Sequence, residues 1–303
     1  MTRYRNLLAF LALSVLWGSA FVAIKAGLDF FPPVLFAALR YDVAGGLMLA
    51  YAVLGSAQAR PRGSRQWATV GVGALLLIGS YHAFLFVGEQ HTTSAAAAVV
   101  VSLSPVLTSG FARGFLPDSR LSALGVLGMV LGLAGVVILA RPDPANLLQP
   151  SVVGTGLVFA AALSFALGSV LTRWLDAGLP IETMEAWSMV GGAALLHVVA
   201  WGLLGESIAD VAWTADAILA LGYLALGASA VGFLLYFDLL DRLGPVEINL
   251  VSYVAPVVAA VVGAALLGER ADLTTALGFL IILTGFVLLK YEALRAEFRR
   301  LRA

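Results

Sequence analysis

The chain has 303 residues, is 61% hydrophobic and 12% charged, and carries no net charge, a composition outside the soluble globular range. Zero net charge removes the electrostatic case for a nucleic-acid partner. With no cysteine and three scattered histidines, disulfides, thiolate catalysis and a metal-ligand pattern are excluded, and no cofactor is implied.

Apolar runs long enough to cross about 30 Å of hydrocarbon recur along the chain. Ten are predicted: 6–27, 33–54, 67–88, 93–115, 121–140, 153–174, 183–204, 214–237, 244–267 and 273–291. The opening stretch has the basic start and small residues of a signal peptide. Its apolar run continues past Gly18 and is copied at 153–174, so it reads as an uncleaved first span. The first span places Ser14, Trp17, Gly18 and Phe21 on one face. Lys25 lies near its outer end, within reach of Asp29 four residues on or of Glu89. Arg40 lies about a third of the way into the second span, and the third carries Tyr81, His82 and Glu89.

The fourth span repeats Ser94, Ala98, Ser102, Pro105 and Ser109 at spacings of three and four, a small polar stripe. The sixth carries Ser164, Gly168 and Leu171, and Glu185 falls near the start of the seventh. The eighth has Ser229, Gly232, Phe233 and Tyr236, and the ninth Asn249, Ser252, Tyr253, Pro256, Ala260 and Gly263. Each proline removes a backbone donor and is expected to free a carbonyl near mid-membrane, to be satisfied by protein or by a wet cavity. The stripes therefore read either as pathway walls or as close helix packing by small residues.

The chain also says one thing twice. VSLSP at 101–105, a charged break at 117–120 and Gly128 with Gly135 recur as VSYVAP at 251–256, GER at 268–270 and Gly278 with Gly285. Pro105 and Pro256 are offset by 151, while the glycine pairs and the Gly18-Ser19, Gly168-Ser169 pair are offset by 150. A duplicated unit with an odd number of spans places its second copy upside down, as in many transporters. The expected fold is an all-α integral membrane protein with ten transmembrane helices, two inverted five-helix repeats around a central cavity. The expected units are residues 1–140, a connection at 141–152, residues 153–291 and a basic tail at 292–303.

With the N-terminus inside, fourteen Lys or Arg fall on cytoplasmic segments against two, Arg141 and Arg270, outside. Both termini are thus expected to be cytoplasmic, in a bacterial-type inner membrane. The basic tail reads as an orientation anchor or as a segment lying on an anionic leaflet. Tyr4, Trp67, Trp213 and Tyr291 fit interfacial belts, while Trp17 and Tyr253 lie inside their spans.

WGSAFVAIKAGL (17–28), SLSPVLTSGF (102–111), SYVAPVVAAVVG (252–263) and LLGERADLTTALGFLIILTGFVLL (266–289) resemble, in this order, signatures of the EamA family of the drug/metabolite transporter superfamily. The resemblance covers essentially the whole chain and implies ten helices and outward transport of amino acids or small metabolites. Length and aromatic content are similar to aromatic amino-acid exporters of the YddG type. Family members often carry Asn after the Trp-Gly-Ser of the first helix. Here Ala20 stands in its place, removing a polar contact expected there.

The leading expectation is therefore an alternating-access exporter of aromatic or hydrophobic amino acids, partnered by a small-molecule substrate and the bilayer and compatible with a monomer. Its candidate pathway residues are Trp17, Phe21, Tyr81, His82, Ser102, Pro105, Ser164, Gly168, Phe233, Tyr236, Asn249, Ser252, Tyr253 and Pro256. Lys25, Arg40 and Glu89 are gating or coupling candidates, with snorkelling or a structural ion pair as the other reading of the two cations. His82 divides between cavity lining and satisfied core, and it joins Glu89 as a candidate for proton coupling. The second expectation is a drug or nucleotide-sugar carrier of the same superfamily. No HExxH, GxSxG or paired mid-span aspartates occur, which argues against an enzyme.

Overall fold

A computed structural model describes residues 2–117, 122–142, 146–243 and 248–291. The basic tail at 292–303 and most of the charged break at 117–120 lie outside them. The described residues form ten helical spans: α1 (Thr2–Gly27), α2 (Pro33–Gly55), α3 (Gly63–Glu89), α4 (Ser94–Phe115), α5 (Ala123–Ala140), α6 (Pro150–Leu175), α7 (Ile181–Leu203), α8 (Ala215–Leu243), α9 (Val251–Leu267) and α10 (Leu273–Leu289). Eight are long and apolar enough to cross a bilayer; α9 and α10 are shorter apolar helices. Five spans precede the connection after Ala140 and five follow it, so related helices run in opposite directions.

Local chemistry sets the helix ends. Thr93, Ser122, Thr214 and Asp272 each accept an N–H from the first turn they precede, satisfying donors a helix start leaves open. α9 ends on Gly268 at φ 65°, the left-handed conformation a helix stop favours in glycine.

Helices α5 and α10 cross backbone to backbone. A Cβ on Gly128 would collide with the Gly285 carbonyl, and one on Gly135 would sit 2.9 Å from the Gly278 carbonyl. The repeated glycines thus meet each other crosswise, as a two-fold relation between the halves requires. Close approach of this kind drives association where lipid offers no hydrophobic gain.

Helices α2 and α7 pack along their lengths, and each is held at its start by the loop after the other. The Val34 and Leu35 N–H groups donate to the Glu206 carboxylate at 3.2 and 2.6 Å. At the other end of the bundle Ser56 and Thr183 share a hydroxyl hydrogen bond of 2.9 Å, and Thr183 also donates to the Gln58 carbonyl at 2.6 Å. Below, the end where α1 begins is the near end; the opposite end, with the α3–α4 and α9–α10 connections, is the far end.

The fourth apolar run is not one uninterrupted helix. It breaks at Ser102–Leu103 into segments Ser104–Phe115 and Ser94–Val101, with Pro105 in the first turn of the later one, a position where its missing N–H is unpaired in any case.

Candidate substrate pathway

The interior is shaped by π-helical stretches at Gly73–Ser80 in α3 and Tyr223–Val231 in α8, which coincide under the 150-residue offset. A π turn moves the backbone bond to i+5 and favours carbonyls open to side chains. In α3, Leu76 O receives the Ser164 hydroxyl at 2.8 Å and Ile78 O receives His82 Nδ1 at 2.9 Å. In α8, Ala228 O receives Trp17 Nε1 at 3.1 Å. The carbonyl bond places the imidazole proton on Nδ1, so Nε2 accepts the Tyr41 hydroxyl at 2.7 Å.

Arg40 extends from α2 toward α8, where its Nε donates to Ser229 Oγ at 2.9 Å and its guanidinium carbon lies 5.1 Å from the Tyr41 ring centre. It is 6% exposed and has no carboxylate partner among the described residues. A guanidinium inside a span costs several kcal/mol unless an anion offsets it. Glu185 of α7 is 9% exposed, also without an ion pair among the described residues, and stands within electrostatic reach of Tyr41 and Tyr236.

Beside this polar centre stands an aromatic wall. Trp17 packs edge-on against Phe233 at 5.9 Å and in a tilted arrangement, 30° between planes, against Tyr236 at 5.4 Å. All three are half-buried, whereas Phe21 is buried above them on α1. Tyr81, half-buried, contacts His82 and Phe165.

Other expected pathway residues lie in packed protein. Ser102 and Pro105 are buried, and the Ser102 hydroxyl is spent on Val99 O at 2.6 Å. The Val101 carbonyl freed by Pro105 is taken by the Ser104 hydroxyl at 2.7 Å, so no wet cavity is needed there. Pro256 instead lies inside continuous α9. Ser164 bridges to α3, Gly168 admits Leu76 and Leu77, and His82 is a satisfied core histidine. Tyr253 is buried against Phe286 at 4.3 Å, its hydroxyl without a partner among the described residues. Ser252 is half-buried and Asn249 exposed. Lys25 does not pair with Asp29; its Nζ donates to Glu89 O at 2.8 Å and Gln90 O at 3.2 Å, a cation capping the end of α3. Tyr4, Trp67, Trp213 and Tyr291 are exposed.

The far end is bridged by contacts between its connections. Glu269 accepts the Ser94 N–H at 3.2 and 3.1 Å and its hydroxyl at 2.5 Å, and Ala212 N donates to Phe30 O at 2.9 Å. Segment Ser94–Val101 packs on α9, whereas segment Ser104–Phe115 packs chiefly on α6. Helices α4 and α9 therefore part toward the near end. Two acids outside the spans shift in opposite directions. Burial raises Glu206 despite the bonds from Leu35 and Val34. For Asp272 burial also pushes upward, but Thr275, Thr274 and Arg141 outweigh it and lower the group. Of the partners missed from sequence, Glu269 had a signal, the repeated charged break. Tyr41 had none beyond its place beside Arg40, while Ser229 was singled out on the eighth span but not linked to Arg40.

The profile of the EamA-like transporter family matches residues 5–141 and again 152–291. The chain belongs to the EamA-like transporter family. Among relatives of this EamA-like chain, YedA of Escherichia coli K12, named an uncharacterized inner membrane transporter, is 31% identical over 88% of this chain and 86% of its own length. The uncharacterized transporter YvbV of Bacillus subtilis is 28% identical over 96% and 93%. The WAT1-related chloroplastic protein At3g02690 of Arabidopsis thaliana is 27% identical over 91% and 67%. A solved crystal structure superposes with a TM-score of 0.67 at 25% identity, covering 97% of this chain and 99% of that one.

Proposed function

We propose that this membrane transporter exports aromatic or other hydrophobic amino acids by alternating access, without catalysing a reaction. The observation that carries the reading is Arg40, a buried guanidinium without a carboxylate partner among the described residues. A substrate carboxylate supplies the missing anion, and the Trp17, Phe233 and Tyr236 rings receive an apolar side chain, each contributing about 0.5–1.5 kcal/mol by stacking. Residues 1–140 and 153–291 act as the two rocking units, joined by 141–152 and followed by the tail at 292–303. The charge bias puts the near end in the cytoplasm, so the parted α4 and α9 correspond to a cytoplasm-facing state in an inner membrane.

A second reading rests on Glu185, a buried carboxyl with no ion pair among the described residues and within electrostatic reach of Tyr236. A carboxyl near an aromatic ring suits an organic cation, as in a drug carrier. Uptake into proteoliposomes separates the two readings. The panel is the twenty amino acids, their decarboxylated amines and their deaminated acids, with and without a pH gradient. Movement of aromatic amino acids but not of the amines supports Arg40 as the anchor. Transport of the amines alone supports the cation carrier, and movement of no amino acid down its gradient sinks the leading reading.

A further inference from the structure

Glu89 ends α3 at the far end with 0% exposure, and neither carboxyl oxygen has a hydrogen-bond partner among the described residues. Lys25 passes the carboxyl by and bonds the backbone carbonyls instead. From the elements around it, α1 brings Lys25, α2 brings Arg40 and the α9–α10 connection brings Glu269. On α3 itself His82 lies two turns below, already bonded on both ring nitrogens. Helix α6 packs on Gly88 through Gly154 and Val158, and segment Ser94–Val101 of α4 carries no ionisable side chain. His91 in the α3–α4 connection is exposed. A charged carboxylate here would lack every hydrogen bond among the described residues, and the favourable field of Lys25 would be opposed by Glu269, with Arg40 adding a weaker favourable field. Burying such a charge costs several kcal/mol, and a neutral acid avoids it.

We propose that Glu89 is a proton-binding site that exists only while the far end is closed. Closure takes up one proton from solution onto the Glu89 carboxyl. Opening hydrates the group, releases that proton to water, and leaves a carboxylate free to pair with Lys25. The proposal rests on the alternating-access reading, because it ties the proton to one of two far-end states. A proton bound to one state alone changes the closed-to-open ratio about tenfold per pH unit.

The test needs no substrate. The chain has no native cysteine, so Thr92→Cys and Ala271→Cys place spin labels on the two far-end connections, and their distance distribution is measured in detergent from about pH 5 to about pH 8. The expected result is a long-distance population that grows as pH rises. In Glu89→Gln the labels should stay close at every pH, and Glu89→Asp should restore the response. A population that ignores pH, or titrates unchanged in Glu89→Gln, overturns the proposal. Growth as pH falls overturns it too and points to loss of the Glu269 contact with Ser94. Glu269→Ala serves as the opening control. If it separates the labels while pH does not, alternation survives and the proton site fails. If no variant separates them, both fail together.

Discussion

Glu269 and Ser94 stand 175 residues apart and meet through three hydrogen bonds at the far end, the carboxylate taking both the N–H and the hydroxyl of the serine. The contact joins one repeat to the other and caps the start of α4. An N-cap contributes about 1–2 kcal/mol and a charged acceptor lies at the upper end. Glu269→Ala is therefore expected to shift the far end toward its open state by about 5- to 30-fold. Spin-label distances across the two connections report it; an unchanged distribution means the contact does not hold that end shut.

Arg40 makes a different kind of prediction. Losing a charged hydrogen bond costs about 1.5–3 kcal/mol, so Arg40→Gln should weaken binding of carboxylate substrates about 10- to 150-fold. Ser229→Ala leaves the guanidinium in place but unsteadied and should have the smaller effect. Isothermal titration with an amino acid and with its decarboxylated amine checks this, because only the former should depend on Arg40.

Trp17 both stacks on the aromatic wall and donates its N–H to Ala228 O. Trp17→Ala should lower transport of aromatic substrates more than that of small ones, by about 2- to 10-fold in their ratio. Trp17→Phe keeps a ring and loses only the hydrogen bond, so it should hold that selectivity. Equal losses for all substrates would assign Trp17 to packing alone.

At the α5–α10 crossing, Gly128 leaves no room for a methyl group beside the Gly285 carbonyl. Gly128→Ala should destabilise the protein by about 1–3 kcal/mol through overpacking. Gly156 faces no atom within 4 Å, so Gly156→Ala is the matched control. Thermal unfolding in detergent compares them, and equal melting points would remove the case for backbone contact.

The glycine pairs show why the fold could be read from sequence. Their spacing recorded the duplication, and the duplication placed each glycine opposite the other copy's partner. Spans were legible because hydrocarbon thickness sets run length. The site was less so. A π turn changes the register by one residue and leaves no mark in an all-apolar stretch such as Gly73–Ser80. Polar partners such as Arg40 and Ser229 lie 189 residues apart, so no local pattern links them. Within the fourth-span stripe the Ser102 hydroxyl bonds its own helix at the Pro105 break, and a hydroxyl turned inward looks the same in sequence as one facing a cavity.

Glu206 offers a pH dependence whose sign follows from its environment. Burial raises the group above its ordinary value of 4.5, although its carboxylate receives the Leu35 and Val34 N–H groups at the start of α2. A raised value means the folded protein holds the proton more tightly than the unfolded chain. The stability it contributes is then full below about 4.5 and is lost as pH rises through the raised value. Melting temperatures of the wild type should fall over that window once other groups are held in common by comparison with Glu206→Gln. The variant cannot ionise, so the part of the slope due to Glu206 should vanish. An identical slope in both proteins would show that the carboxyl does not titrate with the fold.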